Sequence, residues 1–343
     1  MMHERLLATA ANLIGAPLEL EAELRAQTLR CRVVGGDRTV IVKASRDEPD
    51  GVAFLNDVAG LGFLRGLAPE LLGVDRAAGV MVLQDLGAHG GLDALLLRGT
   101  AEAATEGLLR WAEALGGLHA ATAGRRAAYE ALRHGLAPIP ESRMLGRLPA
   151  LLQVLDGLDA PAPEAELRQA LHPAPQPSDT YLHRDPCPDN VVLAPDRAVL
   201  VDFEFGAFGP VGQDASVLRL GMPTCWCAGL VPHQVLEAVE ARYREAASVG
   251  LPHLAEAGGF AEALADGSAH HLAMTLLWHL APALAEDQVW GEATMRQRIV
   301  TRLARFVPSD RWPGMRALAV SLRRTLAARW ASEGLPLYPA FRR

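Results

Sequence analysis

The chain contains little lysine, little cysteine and no long hydrophobic run, and each scarcity excludes a class of protein. Only one of its 33 basic residues is a lysine, Lys43. Four cysteines in 343 residues are too few for a disulfide framework. No segment approaches the roughly 18 apolar residues of a membrane-spanning helix, and the N-terminal residues do not form a convincing signal peptide. These absences predict a protein that neither crosses a membrane nor depends on disulfide bonds for its fold.

Two common nucleotide-binding fingerprints are also missing. Neither Gly-x-x-x-x-Gly-Lys-Ser/Thr nor Gly-x-Gly-x-x-Gly occurs, so the classical mononucleotide and dinucleotide folds lose their main sequence support. The net charge of −7 comes without a basic patch, which argues against nucleic acid as the main partner because its phosphates would be repelled. Half of the residues are hydrophobic, which is ample for a core, and the length favours two domains or lobes.

What the sequence does contain is one dense polar cluster, His183-Arg184-Asp185-Pro186-Cys187-Pro188-Asp189-Asn190, followed twelve residues later by Asp202-Phe203-Glu204. Asp185 is a candidate base, and Asn190 and Asp202 are candidate magnesium ligands. Phosphoryl transfer needs a metal to bridge phosphate oxygens and a carboxylate to orient the attacking hydroxyl. The cluster therefore points to phosphoryl transfer, although each of its acids alone would be an ordinary surface residue.

The spacing also predicts how the two metal ligands meet. Residues 191–193 and 198–201 are short apolar runs around a turn that contains proline and aspartate, which is typical of a hairpin. If the turn centres near Asp196, residue 191 faces residue 201, and Asn190 faces Asp202 at a cross-strand distance of roughly 5 Å. Two oxygen donors at that separation suit a hard cation such as Mg²⁺.

Lys43 provides an independent indication. It ends the apolar run of residues 39–43, which follows a Gly-Gly-Asp turn and is typical of a strand. A lysine offers a compact ammonium group, whereas arginine offers a larger planar fork. In a chain that otherwise uses arginine throughout, this predicts a site shaped for one compact phosphate contact.

These residues together resemble a known family. The pattern His-x-Asp-x-x-x-x-Asn, matched by His183, Asp185 and Asn190, is similar to the catalytic loop of the protein-kinase-like superfamily. Within that superfamily the chain resembles the aminoglycoside phosphotransferase and choline kinase group. Asp202 matches the metal-binding aspartate, in Asp-Phe-Glu where protein kinases usually carry Asp-Phe-Gly.

The resemblance implies an α+β, two-lobed protein-kinase-like fold. The N-terminal lobe, residues 1–86, would be a small antiparallel sheet that binds nucleotide. The C-terminal lobe, residues 87–343, would be large and mainly helical, and it would carry the catalytic loop and the acceptor pocket. The cofactors implied are ATP and Mg²⁺, the acceptor is a hydroxyl of a small molecule, and the expected location is the cytoplasm, where ATP is available.

The resemblance also implies a role for each matched residue. Asp185 would orient the acceptor hydroxyl, and Asn190 and Asp202 would hold magnesium. Lys43 would contact the α- and β-phosphates, and Asp57 would pair with it in place of the usual glutamate.

Two further segments match the family pattern. The run of residues 81–87 is similar to the inter-lobe segment whose backbone grips adenine, which assigns Gln84 and Leu86 to nucleotide binding. Asp214 resembles the acidic residue that supports the catalytic loop from a following helix.

One departure from the family is the stretch of residues 21–28, where a glycine- or serine-bearing loop usually covers the phosphates. This stretch contains no glycine, and the backbone approaches phosphate most easily at glycine. Either Gln27 and Thr28 supply side-chain contacts, or nucleotide binding is weak.

Three functions remain open at this point: a small-molecule kinase, a protein kinase and a catalytically silent nucleotide-binding scaffold. His-Arg-Asp is the commoner spelling in protein kinases, but residues 205–223 contain no Ala-Pro-Glu to close an activation segment. The missing glycine loop favours a scaffold, whereas the presence of all four central polar residues, Lys43, Asp185, Asn190 and Asp202, favours a kinase.

Among the cysteines, Cys187 is expected to be accessible in the catalytic loop, and Cys225 and Cys227 are expected to pack in the core.

Overall fold

The computed structural model describes residues 2–25, 27–45, 51–87, 90–133, 142–256 and 258–342. Its N-terminal part is built on a five-stranded antiparallel sheet in the order β1-β2-β3-β5-β4. The elements of this part are α1 Met2–Ile14, β1 Leu18–Arg25, β2 Thr28–Val33, β3 Thr39–Ala44, α2 Val52–Phe63, β4 Leu71–Asp75 and β5 Val80–Gln84.

Alternation of buried and less buried residues along β2 and β3 explains why these segments form strands. Leu29, Cys31, Val40 and Val42 are fully buried and form one small core with Ala10 of α1. The outer strand β1 is mostly exposed and carries charged side chains, which discourage pairing with another chain at that edge.

The remainder of the described chain is mainly helical. A central helix, α4, packs along α10, and its apolar positions recur at helical spacing. The helices are α3 Leu92–Arg98, α4 Ala101–Thr122, α5 Arg126–Leu132, α6 Ser142–Leu145, α7 Leu148–Gly157, α8 Glu164–Leu171, α9 Gly212–Ala215, α10 His233–Ser248, α11 Gly259–Thr275, α12 Ala281–Ala285, α13 Met295–Ala304 and α14 Pro313–Arg329.

Short strand pairs in this part carry the loops that matter for chemistry. Strand β6 pairs with β9, and β7 pairs with β8. The strands are β6 Thr180–Leu182, β7 Val191–Leu193, β8 Ala198–Leu200, β9 Ala207–Gly209, β10 Val289–Trp290 and β11 Ala293–Thr294. In the part of the chain that the structure describes, no helix has both the length and the apolar character to span a membrane.

One large core joins the two parts. Phe54, Val58 and Leu61 of α2 belong to the same buried cluster as Met81 of β5 and Phe203, the residue that follows Asp202. The helix therefore packs both on the sheet and on the segment that carries the predicted metal ligand.

Candidate active site

The catalytic loop follows β6 and is fixed from behind by α9. Both carboxylate oxygens of Asp214 accept backbone hydrogen bonds, from His183 N at 2.6 Å and from Arg184 N at 3.0 Å. Burial raises the pKa of Asp214, but its bonds to His119 and to the loop outweigh that effect and lower the pKa. The support that the family pattern implied for Asp214 is therefore present as two direct hydrogen bonds.

Two residues of this region have left-handed backbones. Arg184 has φ 64° and Asp202 has φ 71°, a conformation that costs energy for residues other than glycine. Strained backbone is common where side chains must be aimed at a ligand. Arg184 precedes the candidate base Asp185, and Asp202 is itself a predicted metal ligand; the sequence did not predict either left-handed conformation.

Asp185 lies within this loop with its carboxylate half-buried. The Asn190 amide donates to the Asp185 carbonyl at 3.0 Å and to its carboxylate Oδ2 at 3.1 Å. Burial raises the pKa of Asp185, and the nearby Thr224 hydroxyl partly opposes this. Thr224 itself is exposed, so this contact of Asp185 lies at the protein surface.

The predicted register of the hairpin that carries the metal ligands is wrong by one residue. Val191 pairs with Leu200, and Val201 N donates to the Asn190 carbonyl at 3.0 Å. The four-residue turn centres between residues 195 and 196 rather than on Asp196. Asn190 is therefore opposite Val201, and Asp202 is the next residue along the chain.

Lys43 connects the sheet to Asp202. Its Nζ lies 2.6 Å from Asp57 Oδ2 and 2.6 Å from Asp202 Oδ1. Burial would lower the pKa of Lys43, but the two carboxylates outweigh it and raise the pKa. For Asp202 burial would raise the pKa, and Lys43 reverses the shift. The shorter aspartate at position 57 therefore still reaches the lysine.

Asn56, which the sequence reasoning missed, attaches α2 to the Asp-Phe-Glu segment. Its buried amide nitrogen donates to the carbonyls of Phe203, Glu204 and Gly206 at 3.3, 3.0 and 2.7 Å. Its oxygen accepts from the Tyr129 hydroxyl at 2.7 Å. The neighbouring Asp57 accepts from Phe203 N at 3.0 Å, so two consecutive α2 residues fix the backbone that follows Asp202.

A cleft of about 530 Å³ opens beside these groups. Its lining combines charged residues of the sheet and the hairpin with apolar side chains, and it includes Gln84 and Leu86 of the inter-lobe segment. The lining also includes Arg25, Arg30, Ile41, Lys43, Leu83, Asp189, Val191, Val192, Val201 and Asp202. The Gln84 N–H is already bonded to the Glu70 carbonyl at 2.8 Å, so any adenine contact from Gln84 must come from another of its groups.

A disulfide bond joins Cys187 of the catalytic loop to Cys225, 38 residues later. Cys187 is 2% exposed, so the expectation that it is accessible is wrong. Its sulfur lies 2.9 Å from Asp185 Oδ1, and because it is bonded to Cys225 it has no proton to donate to that oxygen. Cys225 and Cys227 are buried in the core, as predicted. The pairing itself was not predicted, since it requires the chain to fold back after α9.

Arg25 is the other contributor that the sequence reasoning missed. Its guanidinium lies 3.3 Å from Asn190 Oδ1 and 3.4 Å from Asp189 Oδ2, and it also donates to the Asp189 carbonyl. The end of β1 is thereby brought against the catalytic loop. The absence of glycine between β1 and β2 was the one sequence feature that indicated a side-chain contact there.

The model of the phosphotransferase enzyme family, APH, matches residues 23–256, which is more than half of the chain. This protein belongs to the phosphotransferase enzyme family. The predicted family is therefore confirmed, and the match includes every predicted site residue from Lys43 to Asp202.

Solved structures establish the fold of this phosphotransferase. A choline/ethanolamine kinase family protein from Mesorhizobium loti is 20% identical, with 94% of this chain and 100% of that chain covered and a TM-score of 0.51. Choline kinase from Cryptosporidium parvum Iowa II is 13% identical, with 88% and 95% covered and a TM-score of 0.53. Among curated proteins none matches the chain. At these identities the likeness concerns the fold alone, and it confirms the predicted two-lobed protein-kinase-like architecture.

Proposed function

We propose that this phosphotransferase moves the γ-phosphate of ATP to a hydroxyl group of a small molecule. The single observation that supports this best is the contact of Lys43 Nζ with both Asp57 and Asp202, each at 2.6 Å. It connects the sheet of the N-terminal lobe to the predicted metal ligand across the cleft. A phosphoryl-transfer site needs this convergence, because catalysis consists mainly of positioning and charge stabilisation.

Asp185 is proposed to orient the acceptor hydroxyl and to receive its proton. Its raised pKa makes the carboxylate a better proton acceptor than a fully solvated aspartate. The Asn190 amide fixes one carboxylate oxygen at 3.1 Å. The other carboxylate oxygen contacts Cys187, and the exposed Thr224 hydroxyl is nearby.

Asn190 and Asp202 are proposed to hold Mg²⁺. They offer an amide oxygen and a carboxylate, which are the hard oxygen donors that this ion prefers. In this structure each is matched with a cationic side chain, Asn190 Oδ1 with Arg25 and Asp202 Oδ1 with Lys43, so the same oxygens already face positive charge. A bound magnesium ion would neutralise charge on the phosphates.

The nucleotide is proposed to occupy the cleft of about 530 Å³. Apolar side chains of its lining, Ile41, Leu83, Val191, Val192 and Val201, suit a flat aromatic base. Gln84 and Leu86 are proposed to contact the adenine, and Lys43 the α- and β-phosphates. Residues 1–86 are proposed as the nucleotide-binding lobe, and residues 87–343 as the lobe that holds the acceptor.

The acceptor is proposed to be a hydroxylated amine or an aminoglycoside. The M. loti and C. parvum structures are described as a choline/ethanolamine kinase family protein and a choline kinase, and the resemblance extends to aminoglycoside phosphotransferases.

A cytoplasmic location would supply ATP, but the reducing thiol pools there would act on the Cys187–Cys225 bond. Mass spectrometry of the protein taken from its own cells under thiol-blocking conditions tests this location: a fully oxidised pair would contradict it.

The experiment is a phosphate-transfer assay with Mg-ATP and a panel of choline, ethanolamine, streptomycin and gentamicin. Asp185→Asn should lower transfer by at least about a hundredfold, because it removes the proton acceptor and leaves the shape. Asp196→Asn, an exposed turn residue, is the matched control and should leave the rate unchanged. Undiminished transfer by Asp185→Asn would remove Asp185 from its role, and labelling of polypeptides in preference to the panel would favour a protein kinase.

A further inference from the structure

The connection between β1 and β2 is too short to cover a triphosphate with backbone. Arg25 is paired with Thr28, so only two residues lie between the strands. One of them, Gln27, has φ 66° and carries a side chain where glycine would be easiest. Two residues carry at most two backbone N–H groups, so the chain is too short here for the longer glycine-bearing loop that usually holds phosphates.

Three cations occur among the described residues that line the cleft: Arg25, Arg30 and Lys43. Lys43 is bound by two carboxylates, and Arg30 Nε lies 2.6 Å from the nearly buried Asp85 carboxylate. Both side chains are 18% exposed, whereas that of Arg25 is 41% exposed. Arg25 is thus the cation with the greatest freedom to meet a ligand.

The present partners of Arg25 are weak enough to be exchanged. Asp189 Oδ2 is an ion-pair partner at 3.4 Å, Asn190 Oδ1 lies at 3.3 Å, and the guanidinium also donates one hydrogen bond to the Asp189 carbonyl. Exposed ion pairs contribute little stability. A phosphate offers the same planar guanidinium two charge-assisted hydrogen bonds in parallel, which is a stronger and more directional arrangement.

We propose that Arg25 binds the β- and γ-phosphate oxygens of the nucleotide and so replaces the glycine-bearing loop. This inference rests on the proposed function. When Arg25 turns to the phosphates it leaves Asn190 Oδ1, and that oxygen becomes free to serve as the magnesium ligand. Binding of the phosphates and formation of the metal site are then coupled, because both depend on the position of the Arg25 side chain.

The test is calorimetric titration of the whole chain with Mg-ATP and, separately, with adenosine. Arg25→Gln should weaken Mg-ATP binding about 10- to 100-fold, the loss expected for one or two charge-assisted bonds. It should change adenosine binding less than about twofold, because adenosine has no phosphate. Arg25→Lys keeps the positive charge but lacks the planar guanidinium. Its affinity for Mg-ATP should therefore lie between that of the unsubstituted protein and that of Arg25→Gln.

Two matched variants separate a phosphate contact from a tether between the lobes. Arg32→Gln removes an exposed arginine of the neighbouring strand β2 that pairs with Glu19, and it should leave both titrations unchanged. Asp189→Asn removes the ion-pair partner of Arg25, and it should leave Mg-ATP affinity equal to or tighter than that of the unsubstituted protein.

Three results would overturn the inference while leaving the proposed function intact: unchanged Mg-ATP affinity in Arg25→Gln, an equal loss for ATP and adenosine, or the same loss in Asp189→Asn. The last two would mean that Arg25 shapes the cleft or tethers the lobes instead of touching phosphate. Absence of Mg-ATP binding by the unsubstituted protein would overturn the proposed function and this inference with it.

Discussion

Asn56 offers a sharp test of how α2 holds the segment after Asp202, because its side chain is completely buried and fully bonded. Its amide has two protons to share among three carbonyl oxygens, and its oxygen accepts one bond from Tyr129. Asn56→Ala therefore removes about three net hydrogen bonds, each contributing about 1 kcal/mol.

Some of the released groups keep a partner. The Tyr129 hydroxyl still donates to Gly206 O at 3.0 Å, and Phe203 O still accepts from Gly206 N at 2.9 Å. We therefore expect Asn56→Ala to lower the free energy of unfolding by roughly 2–4 kcal/mol. Asn56→Asp keeps the shape but turns a donor into a charge facing carbonyl oxygens beside Asp57, and it should lose more, roughly 4 kcal/mol or above.

Urea unfolding, with midpoint and slope measured together, gives the free energies. Asn12→Ala, at an exposed position of α1, is the control and should stay within about 0.5 kcal/mol of the unsubstituted protein. Phosphate transfer in the folded Asn56→Ala protein should also fall, since the backbone that follows Asp202 is loosened. A change of less than about 0.5 kcal/mol in Asn56→Ala, or a milder effect of Asn56→Asp, would refute this account of the hydrogen bonds.

Three further outcomes follow from the same geometry. Lys43→Met leaves the Asp57 and Asp202 carboxylates together without a cation, so it should lower stability by about 3 kcal/mol in urea and abolish nucleotide binding; a stable variant would contradict the pairing. Reduction of the Cys187–Cys225 bond should lower the free energy of unfolding by about 4 kcal/mol for a closure of 38 residues, and a midpoint insensitive to dithiothreitol would argue against the bond.

The third outcome concerns pH. Burial lowers the pKa of His271 from 6.5 to about 4, so the unfolded chain binds a proton that the folded protein resists. Stability is then present above pH 6.5 and is lost as pH falls toward 4. His271→Gln, whose amide can still donate to the Gln213 carbonyl, should flatten this part of the stability profile. A profile with unchanged slope would assign the pH dependence to other groups.

The sequence sufficed for the family and the fold class because the catalytic motif has rigid spacing within one stretch of chain. Helix α4, Ala101–Thr122, follows from an equally local pattern, because its apolar positions repeat with helical period over 22 residues. Strand β3 was predicted from its β-branched run after a glycine turn. Local pattern determined all of these.

Features that depend on distant segments could not be read in the same way. The predicted register of the β7–β8 hairpin was wrong by one residue, because a turn containing proline and aspartate can centre on either of two positions. The apolar residues on both sides of the turn are compatible with both registers. The Cys187–Cys225 pairing and the reach of Arg25 to Asn190, across 165 positions, arise only from the three-dimensional arrangement. The roles of Lys43 in binding nucleotide and of Asp202 in binding metal stay predictions.

Because the chain has a single lysine, amine-directed reagents can probe the site at Lys43 selectively. Amine-directed reagents modify only the unprotonated form, and the ammonium of Lys43 is kept charged by Asp57 and Asp202. Apart from the α-amino group, Lys43 is therefore the one amine of this chain that can form a covalent adduct. The rate of that reaction measures how often its ion pairs with Asp57 and Asp202 dissociate. Acylation followed by intact-mass measurement, with and without nucleotide, would then measure how well this pairing protects the Lys43 amine in a protein with no engineered label.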